Sequence, residues 1–347
     1  MALGKVRFGI IGLGMGRHHA VQLRQAPHAE LVAICDLDME RLERVGDELG
    51  VPWRATNYRD LLGSPDIDAV VVALPNSLHS PVSVDALRAG KHVLCEKPMA
   101  RNAPEAEQML QTAREVGRLL MVHFNYRFTA PAMALHRYVE AGELGRVYHA
   151  RSWWHRNRGI PGLGGWFTSK DAAGGGPLID LGVHRLDLAL WLMGYPQAVA
   201  VSGATYDFLG KELAQRSRST YDVEDMASAF VRFADGSTLI IEASWAGNSE
   251  HAEEMLTQVY GTRAGILHRN SNGYEFEARL FREEHGSYVT VVPQLVPDDF
   301  DNPQEHFARC ILEDRQPIAT GEQGLQVMRI LDAIYLSAQT GTEIRLW

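Results

Sequence analysis

From its N-terminus to about residue 125 the chain alternates short apolar runs with stretches of helical periodicity. Residues 6–11, 31–35, 69–74, 92–95 and 119–124 are unbroken apolar runs, the pattern of strands buried on both faces. Helical periodicity fills the gaps, over 16–25, 39–49, 81–89 and 104–116. Ser80 before Pro81 reads as an N-cap followed by proline at the first helical position, and Gly90 fits just past the end. Strand–helix alternation of this kind predicts an α/β fold with a parallel, doubly wound sheet.

After about residue 128 the pattern changes. Strand-like segments at 145–154, 198–205, 226–233, 237–246, 254–260 and 274–282 follow one another without intervening helices. Ala234-Asp235-Gly236-Ser237 is a hairpin turn joining two of them. An antiparallel sheet in a second domain follows, and two helical patterns, 303–312 and 323–337, close the chain. The predicted domains are 1–127 and 128–347.

Composition sharpens this picture mainly by exclusion. The 347 residues suit two domains, and 46% hydrophobic with 22% charged residues is ordinary for a globular protein. A net charge of −9 argues against a nucleic-acid partner, because no basic stripe stands ready to displace phosphate counterions. The three cysteines, Cys35, Cys95 and Cys310, are odd in number and far apart, which points to reduced core thiols rather than disulfides or a metal site. No apolar run reaches the ~18 residues of a membrane span, and no signal-peptide pattern stands at the N-terminus. A cytoplasmic protein with no metal is the expectation.

Chemistry enters at the first loop. Gly12-Leu13-Gly14-Met15-Gly16 follows the first strand and opens a helix. Gly12 permits the tight turn, Gly14 lets backbone approach a pyrophosphate, and the helix N-terminus offers N–H groups and a positive dipole end to it. The third glycine comes one residue early for G-x-G-x-x-G, where Arg17 stands, so helix–strand packing is not settled by the pattern. Asp36 ends the second strand, 22 residues past Gly14. An acid there accepts hydrogen bonds from ribose hydroxyls and repels a 2′-phosphate, which favours NAD over NADP. The plainer reading is a helix cap, a task Asp38 could equally serve.

Three further segments sit where a nucleotide crevice would be lined: Leu74-Pro75-Asn76 with His79, Glu96-Lys97-Pro98, and the block from Gly174-Gly175-Gly176 through Asp180 and His184 to Asp187. On a helix starting at Pro177, Asp180 and His184 share one face. With Asn125-Tyr126-Arg127 and Gly142-x-x-Gly145, these motifs closely resemble the glucose–fructose oxidoreductase, inositol dehydrogenase and rhizopine catabolism (Gfo/Idh/MocA) family over essentially the whole chain. The resemblance implies a Rossmann domain, then an α/β domain with a large, open, mainly antiparallel sheet. It also implies NAD(P)-dependent chemistry on sugars or cyclitols, a homodimer or homotetramer formed through that sheet, and a cis Lys97–Pro98 bond. The cofactor-binding positions are Gly12, Leu13, Gly14, Met15, Gly16, Asp36, Leu74, Pro75, Asn76, His79, Glu96, Lys97 and Asn125.

By the same resemblance Lys97, Asp180 and His184 match the family's catalytic triplet. The residue types suit alcohol oxidation: His184 as the base for the hydroxyl proton, Lys97 holding the substrate oxygen, and Asp180 orienting the imidazole or binding a hydroxyl. Singly they read as a solvated lysine, a core histidine and a helix-start acid; jointly placed in these motifs they read as functional. On the substrate side, strand alternation groups Trp153, His155 and Asn157 against Trp154, Arg156 and Arg158. His155 and Asn157 match polyol-contacting positions of inositol dehydrogenase-like members, and Trp166 is expected near the nicotinamide or substrate. Arg127 reads either as a ligand contact or as a structural inter-domain residue.

The leading reading is therefore an NAD-dependent dehydrogenase of a sugar, sugar derivative or cyclitol. A redox-neutral NAD-dependent glycosidase, oxidising and eliminating transiently, shares the domain plan. A non-catalytic dinucleotide sensor is disfavoured by the intact Lys97, Asp180 and His184.

Overall fold

The five apolar runs of the N-terminal third form all but one of its strands, β1 (Val6–Ile11), β2 (Ala29–Cys35), β3 (Trp53–Ala55), β4 (Ala69–Val72), β5 (His92–Cys95) and β6 (Leu120–Val122). The exception, β3, is a Trp-Arg-Ala segment the pattern does not predict. Between them lie α1 (Gly16–Gln25), α2 (Met39–Leu49), α3 (Tyr58–Leu62), α4 (Asn76–Arg88) and α5 (Ala103–Val116). The structure, a computed structural model, describes residues 4–293 and 302–346. The six strands pair in parallel in the order β3-β2-β1-β4-β5-β6, the doubly wound arrangement that places a crevice at the β1/β4 switch point. All four residues of β4 are 0% exposed, which accounts for its unbroken apolar run. Each such valine contributes about 1.5–3 kcal/mol of burial.

Helix ends follow local chemistry. Asp38 caps α2 by accepting from Arg41 N–H (3.0 Å), and Asn102 caps α5 by accepting from Glu105 N–H (3.0 Å). One predicted start is corrected: α4 begins at Asn76, not at Pro81, so Ser80 is not its cap and Pro81 lies inside the helix. Pro81 sits within the first two turns, where its missing N–H deprives only the Ser77 carbonyl of a helical partner.

The chain divides into two units, Met1–His123 with Asp301–Met328, and Phe124–Phe300 with Arg329–Trp347. The single boundary at 127/128 read from sequence therefore omits a return of the C-terminal region to the first unit. There Phe307 packs on Phe8 (ring centroids 6.3 Å), and Glu305 accepts from His28 N–H (2.9 Å) and pairs with its Nδ1 (2.6 Å).

The second unit contains α6 (Ala130–Glu140), β7 (Val147–Arg156), α7 (Lys170–Ala173), α8 (Val183–Leu192), β8 (Ala198–Tyr206), α9 (Phe208–Ser217), β9 (Met226–Phe233) and β10 (Thr238–Ser244). It continues with β11 (Glu253–Gly261), β12 (Ala264–Asn272), β13 (Glu275–Glu284) and β14 (Ser287–Val291). After α10 (Pro303–Leu312) and α11 (Gly321–Thr340), β15 (Ile344–Arg345) returns to this sheet. The nine strands order as β14-β13-β12-β11-β7-β10-β9-β8-β15, antiparallel except for the β7–β10 pair. The predicted hairpin joins β9 and β10, with Gly236 at φ +87° and the Asp235 carboxylate accepting from Ser237 N–H (2.8 Å). Sequence reading missed α6, α7, α9, β12, β14 and β15 of this unit, although Asn272-Gly273, with Gly273 at φ +54°, marks the β12–β13 hairpin.

The sheet has two different faces. Ala150, Ser152 and Trp154 of β7 and Leu239, Ile241 and Ala243 of β10 are buried toward α8. Trp153, Phe230, Ile240, Leu256 and Tyr260, cross-strand neighbours or of matching parity, lie on the opposite face. The three cysteines are buried free thiols. Among the described residues no helix is long and apolar enough to cross a membrane.

Candidate functional site

In the first unit the glycine loop is built as the phosphate-cradle reading requires. Gly12 has φ +90°, and a Cβ there would stand 2.4 Å from the Ala73 carbonyl oxygen. Gly14 has no neighbour within 4 Å of where a Cβ would be, so the backbone faces open space, which suits a dinucleotide's pyrophosphate. Gly16 answers the question left by the early third glycine: its Cβ would come 2.8 Å from Ile10 Cγ2 on β1. Close helix–strand packing is thus achieved at residue 16, while Arg17 points outward and pairs with Glu48. Leu13 is buried and Met15 is exposed.

Asp36 is tied to this loop. Its Oδ2 accepts from Leu13 N–H (2.7 Å) and its Oδ1 from Asp38 N–H (2.9 Å), with Arg41 Nη1 3.2 Å from Oδ2. Because Asp38 caps α2, Asp36 is left for the loop, and a carboxylate with about four lone-pair positions retains acceptor capacity for ribose hydroxyls.

The loops after β4 and β5 are locked to one another. His79, buried on α4, reaches the Pro98 carbonyl with Nδ1 (2.7 Å) and the Leu74 carbonyl with Nε2 (2.8 Å). Burial pulls the pKa of this imidazole down, whereas the two carbonyls favour the ring with both N–H groups present. The Lys97–Pro98 bond is cis. Leu74 and Pro75 lead into α4, whose first residue, Asn76, is buried.

Glu96 holds Lys97 from the other side. Its Oε2 accepts from Lys97 N–H (3.0 Å), while Oε1 takes His19 Nε2 (2.7 Å) and His123 Nδ1 (2.9 Å). Gln304 Nε2 lies 2.8 Å from His19 Nδ1, which assigns the His19 proton to Nε2. Burial by itself raises the Glu96 pKa, but His123 and His19 outweigh it and hold the carboxyl well below its usual range. The ligating atoms of His19, Glu96 and His123 lie within 4.8 Å of one another, a spacing open to a metal ion. Each of the three also takes part in a hydrogen bond within the set. Neither histidine was singled out from sequence.

In the second unit Asp180 lies on a π-helical turn, Leu178–Gly182, that runs into α8. The expectation of one helix starting at Pro177 is met by a π turn that continues into α8, so the segment is helical throughout but not uniformly α. The turn is pinned from outside. Buried Glu224 accepts from Gly176 N–H (2.9 Å), Leu178 N–H (3.1 Å) and Tyr335 O–H (2.8 Å). The glycines are sterically required, because a Cβ at Gly176 would fall 2.1 Å from the Glu224 carbonyl oxygen and one at Gly175 2.0 Å from the Tyr335 hydroxyl. The Trp245 indole N–H donates to Asp180 Oδ2 (3.0 Å).

His184 is 8% exposed and is set edge-on to Tyr126 (5.0 Å) and tilted against Trp154 (5.7 Å). Trp154 thus shares the α8 face of the sheet with His184. His155 does not: it faces the opposite side, with Nε2 3.4 Å from Glu242 and its ring near Trp153. Asn157 binds the following loop, donating to the Ser249 carbonyl (3.0 Å). Trp166 stacks on Phe167 (3.8 Å), and Asn125 is exposed on a 3-10 turn, Asn125–Phe128. Arg127 is corrected to a structural residue within the second unit. It is 0% exposed, donates to Asp187 through Nε (2.9 Å), and reaches the Tyr195 hydroxyl (2.7 Å), so no part of it is presented to a ligand.

Comparison with known proteins agrees with this construction. Residues 6–124 match the family model described as an oxidoreductase family with an NAD-binding Rossmann fold, and residues 132–267 match the GFO/IDH/MocA C-terminal domain. The chain is 31% identical to D-glucoside 3-dehydrogenase of Escherichia coli (strain K12), across 100% of this chain and 99% of that one. It is 31% identical to 1,5-anhydro-D-fructose reductase of Ensifer adhaerens, across 96% and 97%. Among solved structures, aldose-aldose oxidoreductase from Caulobacter crescentus, complexed with glycerol, superposes with a TM-score of 0.84 at 29% identity, covering 99% of this chain and 100% of that one. With both of its halves matched and its relatives aligned from end to end, the chain belongs to the Gfo/Idh/MocA family of oxidoreductases and carries that family's NAD-binding Rossmann domain.

Proposed function

We propose that this protein oxidises a secondary hydroxyl of a sugar, sugar derivative or cyclitol, or reduces the corresponding ketone, with NAD as its partner. The observation that carries this reading is the helical segment of the second unit. It presents an imidazole packed by Tyr126 and Trp154, and a carboxylate fixed by the Trp245 indole N–H. It does so in a chain resembling a D-glucoside 3-dehydrogenase over its whole length.

Gly12–Gly16 would hold the pyrophosphate of NAD and Asp36 its adenosine ribose, and the bound cofactor would supply the hydride acceptor. His184 takes the hydroxyl proton, and Lys97 donates to the reacting oxygen and stabilises its developing charge. Asp180 binds a neighbouring hydroxyl or favours the protonated state of His184. His79 and Glu96 fix the backbone around Lys97 from two sides. The face of the second sheet opposite α8, with Trp153, Phe230, Ile240, Leu256 and Tyr260, packs on a second copy of the chain to give a homodimer or homotetramer; light scattering of the eluted protein reads this directly.

The test is NADH formation across a panel of sugars, glycosides and cyclitols, with Lys97→Met and His184→Ala as controls. NADH accumulation, lost by orders of magnitude in both variants while NAD still binds, is the expected result. Near-wild-type turnover in either variant overturns the roles of Lys97 and His184. Release of an aglycone without NADH assigns the glycosidase reaction instead.

A further inference from the structure

Buried cations in this fold normally carry their counter-charge with them, as Arg127 does with Asp187. Arg185, one residue past His184 on α8, is different. It is 0% exposed, and its Nε, Nη1 and Nη2 make no well-formed hydrogen bond among the described residues, although the neutral Tyr126 hydroxyl stands near enough to favour its charge. Its guanidinium lies 4.3 Å from the centroid of the Tyr126 ring, 5.5 Å from Trp154 and 5.7 Å from Phe276. Ring faces attract a cation, but weakly beside the cost of taking a full charge out of water. Arginine cannot escape that cost by losing its proton.

His268 on β12 stands against the same Phe276 ring, stacked at 4.8 Å, and is also 0% exposed with neither ring nitrogen partnered. The Tyr126 hydroxyl is not the missing counter-charge, since burial pushes its pKa up to about 12 and it stays neutral at physiological pH. Two buried polar groups, one of them permanently charged, therefore share one aromatic-walled region with unused donors. Water would satisfy the N–H groups without balancing the charge. A small monovalent anion does both.

We propose that Arg185 and His268 hold a chloride-sized monovalent anion inside the second unit, between α8 and the β12–β13 part of the sheet. The anion accepts from the guanidinium and from an N–H of His268. Its consequence for catalysis rests on the proposed role of His184: Tyr126 and Trp154, which wall Arg185, also pack His184, so anion occupancy steadies the imidazole. Binding itself does not depend on that role.

The full chain, exchanged into sodium gluconate and titrated with chloride or bromide at constant ionic strength, tests this by thermal unfolding. The expected result is a saturable rise in Tm of about 2 °C or more, absent in Arg185→Met and shifted about tenfold to higher halide in His268→Leu. Crystals of the unmodified protein grown in bromide should show an anomalous peak beside the Arg185 guanidinium. These crystals decide the matter if Arg185→Met does not fold. A Tm insensitive to halide, a crystal with only water at this position, or bromide found solely at surface arginines overturns the proposal. Halide-dependent Tm without halide-dependent turnover retains the site and removes its link to His184.

Discussion

Replacing Glu96 by glutamine tests whether this side chain acts as an internal strut or as a direct cofactor contact. The carboxylate accepts three N–H groups, from His19 and His123 on Oε1 and from Lys97 on Oε2. A carboxamide of the same shape keeps one oxygen. With that oxygen toward the imidazoles, its NH2 group faces the Lys97 N–H, donor against donor. In the flipped orientation two imidazole N–H groups lose their acceptor, which is worse. The better orientation loses one bond of the charged class, at about 1.5–3 kcal/mol, and weakens two others to the neutral class, at roughly 1 kcal/mol each. Removing a buried charge offsets roughly 1–2 kcal/mol of this. The expected net loss is about 2–4 kcal/mol, read as a lower urea midpoint at unchanged m. With the Lys97 backbone freed, kcat falls about tenfold or more while the Kd for NAD changes by less than about threefold. A Glu96→Gln protein within about 0.5 kcal/mol of the parent, but with NAD affinity lost about a hundredfold, would falsify the strut and restore the direct contact.

Arg127→Met should cost about 3–5 kcal/mol in urea unfolding by stranding the buried Asp187 carboxylate, and adding Asp187→Leu should recover much of it; a single variant as stable as the parent contradicts the pairing. Gly176→Ala should lower Tm and turnover together, because its methyl would fall 2.1 Å from the Glu224 carbonyl and displace the turn carrying Asp180; unchanged kinetics would show that the turn tolerates the shift. The depressed pKa of Glu96 gives stability that is present above about pH 4.3, its unfolded value, and is lost as pH falls toward the folded one. The stability–pH slope below about pH 4.3 should therefore be shallower in Glu96→Gln than in the parent, and equal slopes would assign the acid sensitivity elsewhere.

The parts of the fold legible in sequence were those whose environment is uniform. β4 is buried on both faces along its whole length, so its apolar run could mean little else. Residues facing two environments were harder. Along β7 the alternation separates Trp153 and His155 from Trp154 and Arg156, but only the position of α8 decides which set lies beside His184. That helix covers Trp154, and His155 falls to the other face. β12 was missed because its apolar stretch ends at Leu267 and gives way to polar residues. The return of 301–328 to the first unit is a long-range packing event, carried by contacts such as Phe8 with Phe307, that no local pattern encodes.

Within the site, the motifs marked consequential residues and left their work undetermined. Asp36, His79 and Glu96 were all read as cofactor contacts. In the structure each side chain also bonds within the protein: Asp36, with acceptor capacity left for a ribose, to Leu13 N–H, His79 to the Leu74 and Pro98 carbonyls, Glu96 to two histidines and Lys97 N–H. Every one of these bonds fixes a loop at the carboxyl end of a parallel strand, where this fold class holds its ligand. A dinucleotide's phosphates and ribose present many weakly directional acceptors and hydroxyls, so they are met best by backbone held in one place. The side chains do the holding. A spacing pattern cannot distinguish an acid that touches a ribose from one that stiffens the loop beside it, because both are required at the same position. The partners that tie Glu96 into the protein, His19, His123 and, through His19, Gln304, lie 77, 27 and 208 positions from it along the chain, out of reach of any local pattern.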